Sequence, residues 1–418
     1  MKINELTENY SKNLSVLANS AAQKSSLDFF KERGLPHTKM EDWLYTKLTD
    51  VLPESFKVAT ESSNSTKETL LGEHALYFSN GYLIPSKTNL PKEITIQELS
   101  VEDLKLEDYG DDTKDIFSML NATVNSKINS LRVEKNFVLK SPISIIHETN
   151  CEGAFATPRI HIEMESFSEC NFVEIFKGID DVKYNQAAVT NFKLAPGAKA
   201  KHVKVQTEGN MSFHAGSVNA TLKKDAHFKS FTFNTGALKA RHNLNVALLE
   251  TGAYASVDGL YTLDGNQHCD NFSLINHVAE HTDSSQLFKG VLNNSSRGVF
   301  TGKVLVARDA QKVNSEQLNK NLLLTKKAHV DTRPQLEVYA DDVKCAHGAT
   351  VGQMSDEEAF YLQSRGLSRE RAQKLLIHAY CADAIIKIED EVIEDYLSNV
   401  LFESFEKSVF ENLNQGQN

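Results

Sequence analysis

Cysteine is scarce in this chain. Five residues in 418 (Cys151, Cys170, Cys269, Cys345 and Cys381) are scattered along it, and no C-x-x-C occurs. That scatter excludes a disulfide framework and a conventional zinc module; most of these thiols read as small buried hydrophobes. Basic residues are also short: 45 Lys and Arg stand against 56 Asp and Glu, a net charge of −11. A nucleic-acid partner needs the opposite surplus to neutralise phosphates. No apolar run approaches the ~20 residues of a membrane span. The opening MKINELTENYSKN lacks the apolar core of a secretory signal. The expected location is the cytoplasm. Nucleotide and nucleophile motifs are missing too, with no G-x-x-x-x-G-K-[ST], G-x-G-x-x-G or G-x-S-x-G.

What is present is a chain with a sizeable core, 40% hydrophobic and 24% charged. Its character changes twice, which divides it into residues 1–135, 136–350 and 351–418. The first region begins helical: LSVLANSAAQKSSLDFFKERG carries Leu14, Leu17, Ala21 and Ala22 at helical spacing, with Gly34 as a C-cap. GLPHTKMEDWLYTKL follows and holds the single tryptophan, Trp43. The Ser/Thr-rich stretch ESSNSTKET reads as a solvated loop. LYFSNGYLIP reads as a hairpin, because Asn80-Gly81 suits a type I′ turn.

From residue 136 the chain reads as short strands such as CNFVEIFKG, FKSFTFNTG and GVFTGKVLVA. A motif recurs among them, a large aliphatic residue followed four positions later by alanine: LAPGA, LKKDA, LETGA, VARDA and LTKKA. The alanines at 198, 226 and 253 are 28 and 27 residues apart, and the step from 253 to 328 reads as three steps of 25. A repeat of this size marks a solenoid. The units hold strands and no helix, so a mainly β fold, a parallel β-helix, is expected. Leu194, Leu222, Leu249 and Leu324 should point inward. A β-sandwich with evenly spaced hairpins is the second arrangement.

After Gly352 the chain reads as helices. Ser355 and Glu358 form a capping box, Gly366 closes the first helix and Ser368 caps the next. Ala372, Leu375, Leu376, Ala379, Ala382 and Ile386 form an apolar stripe at spacings of three and four. A third helix over 390–411 carries Ile393, Leu397, Val400 and Leu401 on one face, with acidic residues from Asp390 to Glu406 on the other. The tail NQGQN reads as disordered. These helices suit either a cap on the solenoid end or a docking surface.

Two places carry candidate chemistry. In DDVKCAHGATVG, Cys345 and His347 are two residues apart, which puts them on one face of a strand. Thiolate and imidazole together suit zinc, iron or a cluster intermediate, but two ligands fall short of the usual three or four. A buried Cys beside a surface His would show the same spacing. The second place is NQHCDNFSLINHVAEHTDSS, with His268, Cys269, Asp270, His277, His281 and Asp283. No metal spacing is present there, and a structural ladder is the preferred reading.

RPQLEVYADDVKCAHGATVG followed by DEEAFYLQSRGLSRERAQKLLIHAY closely resembles the C-terminal signature of the SufB/SufD family of the SUF iron–sulfur cluster assembly system. HTDSSQLFKGVLNNSSRGVFTGKVLV, NSEQLNKNLLLT and GLPHTKMEDWLYTKL also resemble it, so the likeness spans about residues 30–400. The length, the cysteine count and the EDWLYT segment are similar to the SufD branch. The resemblance implies a right-handed parallel β-helix between helical ends. It implies a non-catalytic scaffold that pairs with a SufB-like subunit through the ends of their β-helices and binds the SufC ATPase, which carries the ATPase activity, through its C-terminal helices. Phe360, Tyr361, Leu362, Arg365 and Gly366 are the expected SufC contacts. Cys345 and His347 are the expected transient metal ligands at a shared interface where the nascent Fe–S cluster is built, with no cofactor held stably by the isolated chain. A homodimer of the isolated chain and a flavin in the assembled complex stay open. Two alternatives remain, a SufB-type subunit receiving sulfur itself and a β-helical carbohydrate-active enzyme.

Overall fold

The computed structural model describes residues 2–61, 70–103 and 115–405. The Ser/Thr-rich loop over 62–69, Glu406 with the end of the third helix, and the NQGQN tail lie outside the described residues. No described helix is long and apolar enough to cross a membrane.

Successive strands alternate between two sheets, so each strand pairs with the second-next strand and not with its neighbour in sequence. One sheet stacks His74–Ser79, Ile143–Thr149, Glu169–Gly178, Lys199–Thr207, His227–Asn234, Tyr254–Leu263, Asp283–Leu292, Asn314–Leu323 and Lys344–Gln353, all parallel. The other stacks Lys127–Val133, Arg159–Met164, Asn185–Leu194, Phe213–Leu222, Lys239–Leu248, His268–His277, Arg297–Val306 and His329–Val338, also parallel. This is a parallel β-solenoid, and a sandwich of antiparallel hairpins is ruled out. Antiparallel pairing closes the N-terminal end, where Ile94–Ser100 joins Lys127–Val133 and the Asn80-Gly81 hairpin joins Tyr82–Leu83 to the first strand. Asn80 and Gly81 both have positive φ, as the type I′ turn requires.

The repeat motif is real, but its phase shifts. Leu194 pairs with Leu222 and both are fully buried. Leu222 then pairs with Leu248, not Leu249, and Leu249 is 40% exposed. Leu324 is also misassigned: it follows the strand Asn314–Leu323 of the opposite sheet and packs, half-buried, on the C-terminal helical cluster. The step from 253 to 328 therefore joins two different corners. The feature that repeats without slipping is a residue in the left-handed region. Gly197, Asp225, Gly252 and His281 have φ of 71°, 56°, 77° and 53°. Each donates its N–H to the carbonyl of the next corner: Lys224, Thr251, His281 and Gln311. The residue after each (Ala198, Ala226, Ala253, Thr282) turns inward and is buried. The chain re-enters the core there, and at the next corner Lys312, at φ 60°, is followed by the buried Val313.

Both outer faces of the solenoid are covered. The N-terminal helical segment is split into α1 (Ile3–Leu17) and α2 (Ala21–Arg33), because Ser20 and Gln23 form a reciprocal capping box that starts a new helix. Gly34 is the C-cap at φ 69°. With α3 (Ile116–Val124) and the short turn Glu41–Trp43, these helices pack Leu14, Phe30, Trp43 and Phe117 against Ala187, Phe213 and Ala215 on the outside of the second sheet. At the other end, α4 (Asp356–Ser364), α5 (Arg369–Ile385) and α6 (Glu391–Phe405) follow the last strand. Ser355 and Ser368 cap α4 and α5, accepting from Glu358 N–H and Arg371 N–H at 3.2 Å each. Ile377, Cys381, Ala384, Ile385, Ile393, Leu397 and Leu401 close over Val173, Val203, Val205, Phe231, Phe233, Leu260 and Val291 of the first sheet. The expected stripe on α5 is thus rotated away: of its six members only Ala372 is fully buried, and Leu375 and Ile386 are exposed. The acidic residues Asp383 and Glu389 instead meet Lys289 and Lys229 at 2.5 and 2.7 Å.

Candidate functional site

Cys345 and His347 sit on the last strand, Lys344–Gln353. They are not on a continuation of LEVYADDVKC, because the strand His329–Val338 ends first and the chain turns through Tyr339–Val343 into the other sheet. The i, i+2 spacing does place them on one face. Their Cα partners one coil inward are Ser315 and Gln317, both buried. The pair therefore belongs to a row that faces the solenoid interior, while Lys344 alternates to the outside. Among the described residues no coil lies above this row, and His347 is exposed and Cys345 half-buried. Cys345 packs on Val304, Val306, Ala310, Val313 and Ala340. Partial burial pushes its thiol up from the ordinary range, so the free thiol is protonated at neutral pH.

The surroundings are those of an open sheet edge. Lys344–Gln353 and His329–Val338 are the terminal strands of their sheets. Val338, Tyr339 and Val351 are exposed apolar side chains on this end. An unpaired edge offers main-chain donors and acceptors to another strand. A groove of about 480 Å³ runs from Thr350–Met354 to Leu376, Ala379 and Tyr380 of α5. On α4, Phe360 is 72% and Tyr361 58% exposed, Leu362 is half-buried, and the Arg365 guanidinium lies 5.4 Å from the Tyr361 ring centre. Gly366, at φ 95°, ends that helix.

The second candidate place comes apart in three dimensions. His268 and Asp270 point outward and meet the Thr46 hydroxyl, with Arg241 2.7 Å from Asp270. Cys269 points into the core, where burial lifts its thiol to about 12. His277 is an inward corner residue contacting Thr282 and Ser284 at 2.8 and 2.9 Å. His281 occupies a left-handed corner. Burial pushes the His268 and His277 imidazoles down to about 4, so both are neutral. Among the described residues, no three His, Cys, Asp or Glu side chains converge to hold a metal.

Sequence reasoning missed a charged cluster inside the solenoid. Glu174, fully buried, contacts His147 Nε2 at 2.9 Å and His202 Nε2 at 3.0 Å, and accepts from Thr190. Burial alone would raise its carboxyl, but the two imidazoles outweigh that and hold it well below the usual range. Lys204 is its Cα partner on the next coil and contacts His214 and His242 at 2.7 and 3.2 Å. Burial lowers Lys204 to about 8, against the pull of Glu174 and Glu208. The signal was the alternation itself: in NFVEIFKG and KHVKVQ, Glu174 and Lys204 fall on the same parity as the inward Phe172, Phe176 and His202. A second missed feature is the strap around Trp43. Arg241 stacks over the Trp43 ring at 4.6 Å, Lys239 reaches Asp50 at 2.9 Å, and Arg333 donates to Glu41 at 3.0 Å.

Residues 146–380, most of the solenoid with the last strand and α4, match the family model for the SUF system FeS cluster assembly SufBD core domain. The chain is 31% identical over 366 residues to the iron–sulfur cluster assembly protein SufD of Escherichia coli, covering 86% of each chain. It is 30% identical over 400 residues to a SufBD family protein of Synechocystis, covering 90% of this chain and 88% of that one. A chloroplastic Arabidopsis thaliana protein, ABCI7, is 29% identical over 299 residues, covering 69% of this chain and 62% of its own. The chain belongs to the SufBD family of the SUF iron–sulfur cluster assembly system.

Proposed function

We propose that this chain is a non-catalytic scaffold that builds half of a cluster-assembly interface. Its open end pairs with the end of a SufB-type solenoid, and Cys345 and His347 then face ligands from that partner. The observation that carries this reading is the placement of the pair: same row, inward-facing, on the terminal strand, with no coil above it among the described residues. Two ligands on an open edge are an incomplete site, and a second solenoid end can supply the rest. Iron and sulfide are cargo here. A metal or a partner cation has to lower the Cys345 thiol before it can bind as thiolate.

The C-terminal helices supply the second contact. Phe360 and Tyr361 are exposed aromatics next to Arg365, a composition that suits a binding hot spot, and the SufC ATPase is the partner we assign to them. Ser355 follows the last strand after a single residue, Met354, so a pull on α4 reaches the strand of Cys345 and His347 directly. The reading as a sulfur-receiving subunit is less well supported. Cys170, Cys269 and Cys381 are buried with thiols pushed up to about 12, and Cys151 is pushed up to about 11, so no chain of reactive thiols leads to the edge.

The test is iron and acid-labile sulfide per anaerobically purified complex. His347→Ala should leave the subunit folded and able to join both partners, yet lower cluster content. Cys345→Ser should be milder if a partner cysteine carries the sulfur. Wild-type iron and sulfide in the His347→Ala complex would remove the pair from the assembly site.

A further inference from the structure

Gln317, directly beneath His347, has an unused oxygen. The two are Cα partners on adjacent parallel strands, so their side chains stack in one row. Gln317 is fully buried and reaches across the solenoid interior to Gly302, where an added Cβ would lie 2.9 Å from its Cδ. Gly302 is therefore the residue that leaves room for it. Gln317 Nε2 donates to Gln286 Oε1 at 3.0 Å, and Gln286 is its own Cα partner one coil further in. Gln286 Oε1 also accepts from Ser273 Oγ at 3.0 Å. In this arrangement the Gln317 amide nitrogen faces Gln286. A planar carboxamide sends its nitrogen and oxygen to opposite sides of Cδ. With the nitrogen turned toward the preceding coil, the oxygen is turned toward the last one. That oxygen is buried and has no hydrogen-bond partner. A buried acceptor left empty is costly, and the nearest row above it is that of His347.

We infer that Gln317 Oε1 positions His347. One ring N–H of His347 donates to it, which fixes the tautomer. The other ring nitrogen then presents its lone pair toward the open end, where a metal would arrive. A ligand imidazole needs such a partner for its second nitrogen. Gln317 touches no cargo and acts only through His347, and Ser273 and Gln286 hold it in turn. The inference rests on the reading of His347 as a cluster ligand.

The experiment reads the ring nitrogens of isotope-labelled histidine by NMR in the isolated full-length chain, with His347→Asn used to identify the signal. Wild type should show a single tautomer. Gln317→Met, of similar volume but lacking an acceptor, should lose it to a mixture. Gln317→Glu keeps an acceptor oxygen, and Gln286 can turn its amide over to donate to it, so the single tautomer should return. A mixed tautomer in wild type, or an unchanged single tautomer in Gln317→Met, overturns the inference. If Gln317→Met does not fold, wild type and Gln317→Glu decide it, because both must show the single tautomer. No cluster or partner enters this measurement. Wild-type iron and sulfide in the His347→Ala complex would therefore end the assembly role of the pair and leave the tautomer result standing.

Discussion

Leu248 and Leu249 are neighbours that should respond oppositely to truncation. Leu248 is fully buried between Leu222 on one coil and His277 on the next. Leu249, at the corner, is 40% exposed. Leu248→Ala removes buried methyl groups from a stack whose neighbours are held by parallel pairing on both sides, so the cavity cannot collapse easily. The expected cost is about 2–5 kcal/mol. Leu249→Ala loses only partial burial and should cost about 1 kcal/mol or less. Urea unfolding followed by far-ultraviolet circular dichroism reports the sheets. Trp43 fluorescence reports the same coil, because Trp43 stacks on Arg241 of the strand Lys239–Leu248. A shift of midpoint at constant slope is the required signature. Equal costs for the two variants, or a larger one for Leu249→Ala, would refute the ladder described for this corner.

The other predictions concern charge and docking. Lys204 is lowered to about 8 when folded, against 10.5 for a free lysine. Below pH 8 both states carry the proton and the burial penalty is complete; as pH rises from 8 toward 10.5 the folded state sheds it first and stability rises. The gap between Lys204→Met and wild type should therefore shift by about 3 kcal/mol across that window, and parallel pH profiles of urea midpoints would contradict the assignment. Deleting 355–418 is a poor test of docking, because it strips α5 and α6 from Val203, Phe231, Phe233 and Leu260 and exposes a core face. Phe360→Ser with Tyr361→Ser spares that face. The pair should weaken SufC binding by at least about 2 kcal/mol with unchanged thermal unfolding, and unaltered affinity in calorimetry would move the docking site elsewhere.

Much of the fold was legible because a solenoid repeats one local decision. Strand runs such as NFVEIFKG and FKSFTFNTG advertise themselves by composition, and alanine recurs after three successive corners where the chain re-enters the core, before Thr282 and Val313 take the same place. The leucine before the corner was a weaker guide. Corners differ by one residue in length, so in LLETGA two leucines compete, and only the parallel register decides between Leu248 and Leu249. The α5 stripe failed for a related reason. The helix is apolar on more than one face, and which face is buried depends on the outer surface of a sheet that its own sequence does not encode.

The candidate site shows the same division between local and assembled information. Alternation alone puts Cys345 and His347 on one face, and the structure keeps that. Their exposure comes from being on the last coil, a fact about where stacking stops and not about the residues themselves. The partner row makes this plain: Ser315 and Gln317 occupy equivalent positions one coil inward and are buried, and Ser284 and Gln286, one coil further, are buried as well. The chain continues an inward polar row to its end and there replaces serine and glutamine with cysteine and histidine. A row of serine and glutamine binds itself by hydrogen bonds between coils, as Ser284 with Ser315 at 2.8 Å and Gln286 with Gln317 at 3.0 Å do. A thiol and an imidazole take the same register positions on the terminal strand, and side chains of those two types can ligate a metal where serine and glutamine bind only each other.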